Sequence, residues 1–214
     1  MRIKVCGITR EEDALVALDA GADAIGMIFH ESSPRRVDRR RALGISRLVS
    51  GRADCVGVLV DASPEELGRL VEEFELTAVQ LRLGSCPRRL PLELDAAVLP
   101  YLGAEDLGPR LEVDWWADLP IFFDHLAADG SAGTGQLPDL GVAAALAAHR
   151  PVWLAGGLGP GNVAEVVAAV RPYGVDASSG LEVSPGIKDA HLVVEFVQRA
   201  RAAVAAVPQT SGQP

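Results

Sequence analysis

A cysteine stands where a short apolar segment turns toward a helix. Cys6 follows the run Arg2-Ile3-Lys4-Val5 and precedes Gly7-Ile8-Thr9. The carboxyl ends of parallel strands in α/β folds open onto the ligand-binding face, so a thiol there can act as a nucleophile or a base. The alternative is a small buried hydrophobe, because free cysteine is among the most buried residue types. The other candidate residues decide between these two interpretations.

Carboxylates and arginines occupy similar positions elsewhere in the chain. Asp124 comes directly after Pro120-Ile121-Phe122-Phe123, and Asp176 ends another short apolar run. A carboxylate in such a place is unfavourable unless it is hydrogen-bonded or takes part in chemistry, although a turn-capping aspartate is the simpler alternative. In the loop at residues 30–36, Arg35 is a candidate to hold a carboxylate bidentately, whereas Arg36 fits a solvated surface arginine.

Two glycine-rich loops indicate a phosphate site. Ala155-Gly156-Gly157-Leu158 follows one predicted strand and Ser178-Ser179-Gly180 follows the next, while Gly133-Thr134-Gly135 extends the same wall. Glycines let backbone N–H groups approach an oxyanion, and serine hydroxyls add further donors. A single Gly-Gly pair would be weak evidence, because tight turns use glycine for conformational reasons. Two such loops in succession favour phosphate binding.

Composition excludes several classes of protein. A net charge of −9 over 214 residues argues against nucleic acid as a partner, and no apolar run is long enough to span a membrane. Three widely spaced cysteines, Cys6, Cys55 and Cys86, predict neither a disulfide framework nor a zinc site. We therefore expect a cytoplasmic protein in a reducing compartment.

Short β-rich runs alternate with segments of helical periodicity along the whole chain. Eight β-α units fit the pattern, which predicts a single (β/α)8 TIM barrel of parallel strands over residues 1–207 and a disordered tail at 208–214. An open doubly wound sheet is the rival architecture. The expected strands are residues 2–6, 23–29, 54–60, 77–81, 96–99, 120–124, 152–155 and 174–177.

Helix boundaries carry their own signals. Thr9 with Glu12 predicts one capping box, and Ser63-Pro64-Glu65-Glu66 predicts another, with proline at the first helical position. After Asp189, one apolar stripe predicts a final helix packed on the core. Its members are Leu192, Val193, Phe196, Val197 and Ala200.

Several of these motifs together resemble the phosphoribosylanthranilate isomerase family of tryptophan biosynthesis. The resemblance covers residues 1–83 and 120–206 and fades between Gly84 and Leu119. It implies a barrel enzyme that performs an Amadori rearrangement of N-(5-phosphoribosyl)anthranilate without metal or organic cofactor. The matching segments are Lys4-Val5-Cys6-Gly7-Ile8-Thr9, Gly21-Ala22-Asp23-Ala24-Ile25-Gly26, Ser33-Pro34-Arg35, Ala78-Val79-Gln80-Leu81, Asp124 with Gly133-Thr134-Gly135, Ala155-Gly156-Gly157-Leu158 and 174–189.

The resemblance also implies roles for individual residues. It makes Cys6 the general base and Asp124 the general acid, and it places Arg35 against the anthranilate carboxylate. Asp176 orients or contacts the substrate or is structural. The phosphate would bind at Gly133, Gly156, Gly157, Ser178 and Ser179.

The chain departs from the family pattern beside this site. Arg82 stands where the family usually has histidine, which makes it a candidate substrate contact, and the fifth strand lacks a usual lysine. A paralogue acting on a related phosphoribosylamine and a non-catalytic phosphosugar-binding barrel are therefore alternatives. The related histidine-pathway isomerase is disfavoured because it carries aspartate at the position of Cys6. The expected partner is a small phosphosugar, and the assembly is a monomer or a homodimer.

Overall fold

The structure, a computed structural model, contains a closed barrel of eight parallel strands. It describes residues 1–60, 62–82, 94–107, 119–125 and 135–206. Each strand pairs with the next along the chain, and the first closes against the eighth, which makes the open doubly wound alternative wrong. The strands are β1 (Arg2–Val5), β2 (Ala24–Ile28), β3 (Asp54–Leu59), β4 (Ala78–Arg82), β5 (Ala97–Leu102), β6 (Ile121–Phe123), β7 (Val152–Leu154) and β8 (Gly174–Ala177).

All eight expected strands are confirmed, most of them to within one residue at each end. The largest difference is at β5, which continues three residues beyond the predicted end to Leu102. Pro100 interrupts the apolar pattern there, yet it lies within the strand and pairs in parallel register with Leu81 of β4. A proline inside a strand removes one backbone donor, and this is why the local pattern underestimates the length of β5.

Helices lie outside the barrel between the strands. They are α1 (Glu11–Ala20), α2 (Arg39–Val49), α3 (Pro64–Phe74), α4 (Leu140–Ala147), α5 (Val163–Val170) and α6 (Ala190–Ala206). Ser63 caps α3 as predicted, since its Oγ accepts from the Glu66 N–H, with Pro64 at the first helical position. The predicted cap of α1 is wrong: Arg10 precedes this helix without a side-chain cap, and Thr9 instead donates to the Gly186 carbonyl.

Alternate strand residues form two separate layers of core. One set packs outward beneath the helices, as Val5, Val79 and Phe123 do. The other set fills the barrel and consists of Ala24, Val56, Ala78, Leu99, Tyr101, Phe122, Trp153 and Ala155. Because strand side chains alternate between two faces, the inward positions of β1 are those of Arg2 and Lys4, with Cys6 following at the mouth.

The amino-terminal end of the barrel is closed by an ion pair and an indole ring. Arg2 donates to Asp54 at 2.6 Å, and its guanidinium lies 5.7 Å from the centroid of the Trp153 ring. Gly174 on the neighbouring strand leaves room for that ring, because an added Cβ would lie 2.4 Å from the Trp153 Cε3. This end is therefore packed for stability, which leaves the opposite end for ligands.

A hairpin lies beyond β8 and docks beside α1. It consists of β9 (Glu182–Ser184) and β10 (Ile187–Lys188), paired antiparallel. The Lys188 N–H donates to Asp13 at 3.2 Å, and Thr9 holds the hairpin turn. The stripe predicted for the final helix is confirmed in α6, with Val193, Phe196, Val197 and Ala200 buried and Leu192 partly buried.

The remaining expectations on organisation concern the chain ends and the membrane. The predicted tail at 208–214 lies outside the described residues, and the single-domain boundary at residue 207 stays a prediction. Among the described helices, none has both the length and the apolar character that crossing a membrane requires.

We expect Gly174→Ala to destabilise the barrel by about 1 to 3 kcal/mol, because the new methyl group would overlap a rigid indole ring. Gly68→Ala in α3 is the matched control: a Cβ there meets nothing within 4 Å, so it should stabilise the protein by about 0.5 to 1 kcal/mol. Urea unfolding of both variants measures the difference. Equal effects would contradict this account of the barrel end.

Candidate active site

The candidate base lies at the mouth of the barrel beside a glycine. Cys6 is 6% exposed, and its N–H donates to the Ala177 carbonyl at 2.9 Å, which continues the pairing of β1 with β8. A Cβ at Gly26 would lie 2.8 Å from the Cys6 Sγ. Glycine on β2 therefore leaves the space that the thiol occupies. Gly7 then turns the chain at φ +72°, a conformation that favours glycine.

Lys4 forms an ion pair inside the barrel. Its side chain is fully buried, and its Nζ donates to the Asp176 Oδ2 at 2.9 Å. The register of β1 against β8 places these two residues side by side. The Nζ also lies 5.2 Å from the centroid of the Phe122 ring. Although burial opposes it, the negative charge of Asp176 raises the pKa of Lys4, so the lysine is charged.

The Cys6 thiol is subject to opposing influences. Burial raises its pKa, and the positive charge of Lys4 acts in the opposite direction. Asp176 raises the thiol pKa further, whereas Lys188 lowers it. The positive charges that favour the thiolate are those of these two lysines.

The candidate acid follows β6 and is also largely buried. The Asp124 N–H donates to the Leu102 carbonyl at 3.1 Å, which fixes the residue at the end of the barrel. Burial raises the pKa of Asp124 to about 7, and the nearby charge of Asp176 contributes in the same direction. The His125 N–H and Lys4 oppose this shift. Asp124 is therefore protonated for part of the time near neutral pH, as a general acid requires.

Arg35 and Lys188 share one carboxylate. Arg35 Nε donates to Glu182 Oε1 at 3.0 Å, and its Nη2 donates to Oε2 at 2.9 Å. Lys188 Nζ donates to the same Oε1 at 2.8 Å and to the Ser178 carbonyl at 3.1 Å. Burial opposes the shift, but these two cations hold the pKa of Glu182 below its usual range. The hairpin therefore fixes both cations beside the mouth of the barrel.

Arg35 lies near the candidate base. A Cβ at Gly7 would lie 3.0 Å from Arg35 Cδ and 2.9 Å from the Ser178 Oγ. The backbone just after Cys6 therefore passes between the loop that follows β2 and the loop that follows β8. Candidates from three separate parts of the sequence meet at this point.

The glycines of the candidate phosphate site bring loops into direct contact. Gly156 and Gly157 both have positive φ, at +88° and +58°. A Cβ at Gly156 would lie 2.5 Å from Asp124 Oδ1, and one at Gly157 would lie 2.6 Å from the Gly135 carbonyl oxygen. These two positions therefore admit only glycine without movement of the loop after β6. Gly133 lies outside the described residues.

The loops after β7 and β8 touch in the same way. A Cβ at Gly180 would lie 2.2 Å from the Leu158 carbonyl oxygen. Ser178 lies directly after β8, and Ser179 begins a short 3-10 turn that ends at Leu181. Asn162 supports the loop after β7, since its Oδ1 accepts from the Gly159 N–H at 2.9 Å. The described parts of the loops after β6, β7 and β8 are thus in contact with one another.

Arg82 ends β4 and pairs with an acidic residue beyond β5. Its Nη2 lies 3.7 Å from Asp106 Oδ1, and the other oxygen of Asp106 accepts from the Gly103 N–H at 2.9 Å. Both side chains are mostly buried. This pair therefore holds the permanent cation at the barrel mouth, and a substrate contact by Arg82 stays a prediction.

Four buried polar atoms near the strand ends have no hydrogen-bond partner among the described residues. They are Gln80 Oε1, Asp124 Oδ1, Asp176 Oδ1 and Ser178 Oγ. A buried polar atom without a partner is unfavourable by about 1 to 3 kcal/mol. Three of the four belong to residues that the sequence singled out. A polar ligand at the barrel mouth would satisfy such atoms.

Sequence reasoning missed the side chains that control the charge of this site. Lys4, Glu182 and Lys188 appear in the matching segments, but their pairings join residues far apart in the chain. The alternation of β1 was a usable signal, because it places Lys4 on the same face as Cys6. Within the described part of the chain, no group of three or more His, Cys, Asp or Glu side chains could hold a metal ion.

We expect Asp124→Asn to become more stable than the unsubstituted protein as the pH rises. The raised pKa means that folded Asp124 keeps its proton between about pH 4 and pH 7, where the unfolded chain loses it, so stability falls with pH over this range. Asparagine removes this loss, which gives a gain of about 2 to 4 kcal/mol above pH 7. Urea unfolding across this range measures it.

The exposed Asp95 provides the control for this measurement. Asp95→Asn should show no comparable gain at high pH. A gain for Asp124→Asn that is independent of pH would contradict the raised pKa.

Comparisons with known proteins agree with the geometry. Residues 3–199 match the family model of N-(5'-phosphoribosyl)anthranilate (PRA) isomerase. The N-(5'-phosphoribosyl)anthranilate isomerase of Geobacter sulfurreducens is 38% identical over 201 residues, which is 94% of this chain and 98% of the relative. That of Myxococcus xanthus is 40% identical over 205 residues, which is 94% of this chain and 96% of the relative.

Solved structures show the same relationship. The phosphoribosyl anthranilate isomerase of Thermus thermophilus has a TM-score of 0.81 at 35% identity, with 94% of this chain and 99% of that chain covered. A second such enzyme, solved in complex with reduced 1-(o-carboxyphenylamino)-1-deoxyribulose 5-phosphate, has a TM-score of 0.77 at 31% identity, with the same coverage of both chains. This chain belongs to the N-(5'-phosphoribosyl)anthranilate isomerase family.

Proposed function

We propose that this chain isomerises N-(5'-phosphoribosyl)anthranilate to 1-(2-carboxyphenylamino)-1-deoxyribulose 5-phosphate with Asp124 as general acid and Cys6 as general base. The observation that carries this proposal is the set of buried polar atoms without hydrogen-bond partners that lie on or directly after β4, β6 and β8, among them Asp124 Oδ1. Cys6 lies at the same end of the barrel, directly after β1. The related enzyme solved with a reduced form of this product supports the substrate.

In the first step Asp124 donates its proton to the ring oxygen of the ribose. The bond between that oxygen and C1' breaks, and the nitrogen lone pair forms the C=N bond of a Schiff base. The aspartate is left as a carboxylate. A pKa raised to about 7 supports this role, because it keeps the proton available near neutral pH and still allows it to leave.

In the second step the Cys6 thiolate removes the proton from C2'. The electrons of that C–H bond form a C1'=C2' double bond, which neutralises the Schiff base and gives an enolamine. The enolamine then tautomerises, with loss of the proton on the C2' oxygen and gain of a proton at C1', and yields the ketone. Cys6 now carries one proton more and Asp124 one fewer, and exchange with solvent restores both residues.

Substrate binding is assigned to the groups around this pair. The proposed partner of the anthranilate carboxylate is Arg35, whose pairing with Glu182 uses Nε and Nη2 and leaves N–H groups of its five donors for a second acceptor. The proposed phosphate position lies against Gly156, Gly157, Ser178 and Ser179, where the loops after β7 and β8 meet. Gly133 is assigned to the same position by its motif.

The proposed reaction needs proton transfer and one small phosphosugar. The expectation of a cytoplasmic enzyme without nucleic-acid partners stays a prediction. The phosphoribosylanthranilate isomerase of Thermotoga maritima is described as dimeric, and monomers generated from it have also been solved. The prediction for this chain remains a monomer or a homodimer.

We expect Cys6→Ser and Asp124→Asn each to lower kcat by about 10²- to 10⁴-fold with little change in KM, because each removes one proton-transfer group and leaves the binding groups in place. The assay follows loss of the anthranilate fluorescence of the substrate. Cys55→Ser is the matched control, since Cys55 is buried between the barrel and the helices. Near-full activity in either first variant would make its assigned role wrong.

We expect Arg35→Met to abolish discrimination for the substrate carboxylate. The unsubstituted protein should bind reduced 1-(o-carboxyphenylamino)-1-deoxyribulose 5-phosphate about 10- to 100-fold more tightly than the analogue without the carboxyl group. The analogue cannot form the charge-assisted hydrogen bond between Arg35 and the ligand carboxylate. Arg35→Met should bind both ligands equally in a calorimetric titration. An unchanged ratio would assign the carboxylate to another residue. Glu182→Gln, which leaves Arg35 charged, should keep most of the discrimination.

A further inference from the structure

Lys4 lies in the barrel interior within reach of the Cys6 sulfur. One point, the position of a Cβ at Gly26, is 2.8 Å from Cys6 Sγ and 3.0 Å from both Nζ and Cε of Lys4. The ammonium group and the sulfur therefore face the same small space, which the absence of a side chain on β2 leaves open. Burial raises the pKa of the Cys6 thiol, and the positive charge of Lys4 across this space acts against that rise.

The position of the Lys4 ammonium group is fixed from the opposite side. Asp176 Oδ2 accepts from Nζ at 2.9 Å, and the Phe122 ring has its centroid 5.2 Å from the same atom. A cation on the face of an aromatic ring is attracted to it. Lys4 is completely buried, so solvent screens the interaction of its charge with the sulfur much less than at the surface.

Other charged and titratable groups also lie around the thiol. Arg35 and Lys188 are both held by Glu182, and Asp124 keeps its proton for part of the time near neutral pH. Asp176, which faces the thiol from β8, raises the thiol pKa. Lys4 is the cation whose Nζ faces the same space beside Gly26 as the Cys6 sulfur.

We propose that Lys4 is a positioning residue that stabilises the Cys6 thiolate and holds its sulfur at the barrel mouth, with Asp176 fixing the ammonium group. This role rests on the proposed function of Cys6 as the general base. The thiol proton leaves to solvent before the substrate binds, and Lys4 keeps its own proton throughout. The buried ammonium group of Lys4 is paired with the Asp176 carboxylate at all times, and it stabilises the Cys6 thiolate when that thiolate forms.

The direct test is a titration of the Cys6 thiol in the free protein. The ultraviolet absorbance of the thiolate is followed against pH, and the same protein carrying Cys6→Ser is subtracted to remove the other cysteines. In Lys4→Met the titration midpoint should rise by about 1 to 3 pH units, because the opposite charge is lost. In Asp176→Asn the midpoint should fall, because a like charge is lost and Lys4 remains.

Two further variants separate this role from a structural one. Arg2→Met removes the inward cation at the other end of β1, which pairs with Asp54, so it should lower stability without moving the thiol midpoint. The double variant Lys4→Met with Asp176→Asn removes both charges of this ion pair, so neither is left without its partner. It should fold even where Lys4→Met does not, and its midpoint should lie above that of Asp176→Asn alone.

The kinetic consequence is a shift of the acid limb of the pH profile. In Lys4→Met, kcat/KM at neutral pH should fall by about 10-fold or more and recover as the pH rises, because the thiolate forms only at higher pH. Arg2→Met should keep the profile of the unsubstituted protein.

An unchanged thiol midpoint in Lys4→Met, or equal midpoints in the double variant and Asp176→Asn, would overturn the role of Lys4. The proposed function fails separately, through absence of turnover by the unsubstituted protein, since the thiol titration does not depend on substrate. A thiol that responds to Lys4 in a protein without turnover would support the electrostatic role and reject the isomerase assignment of Cys6.

Discussion

The ion pair between Lys4 and Asp176 is the interaction on which the rest of the site depends. It lies inside the barrel, where a charge without a partner would be strongly unfavourable and where removal of one partner costs about 3 to 5 kcal/mol. Apolar residues of similar volume often stabilise a core as well as a buried ion pair does, so stability alone does not explain these charges. Their effect on the candidate acid and base does, because the charges of Lys4 and Asp176 act on the pKa values of both Cys6 and Asp124.

The barrel separates stability from chemistry along its axis. At the amino-terminal end, Arg2 meets Asp54, and the Trp153 ring fills the space above Gly174. At the carboxyl end, buried polar atoms are left without partners among the described residues, and the loop glycines bring backbones together instead of filling space. The same strands serve both ends, because alternate residues of each strand face inward at successive levels. The well-packed amino-terminal end of the barrel thus supports a carboxyl end in which some buried polar atoms lack hydrogen-bond partners among the described residues.

The sequence predicted what depends on local pattern and missed what depends on distant contacts. The eight strands and the Ser63 cap follow from periodicity and from residues near one another in the chain. Thr9 has the residue type of a cap, yet its hydroxyl donates to Gly186 in a hairpin 177 residues away, which no local signal reveals. The pairing of Lys4 with Asp176 likewise spans 172 residues. The sequence therefore identified the charged residues of the site, but it did not predict which of them form ion pairs with one another.

The pattern of charge compensation also supports the proposal that the glycine loops and the cations bind different parts of the substrate. Arg35 and Lys188 share Glu182, so this side of the site has one positive charge in excess, which suits one carboxylate. The charge of Lys4 is balanced by Asp176, which leaves no comparable excess for a phosphate. Backbone N–H groups can hold an oxyanion through oriented dipoles without a full counter-charge. Gly156 and Gly157, where a Cβ would strike a neighbouring loop, allow the close backbone approach that this kind of binding needs. The excess positive charge at Arg35 and Lys188 thus favours binding of the substrate carboxylate there. The glycine loops favour binding of the phosphate at the other end of the same substrate.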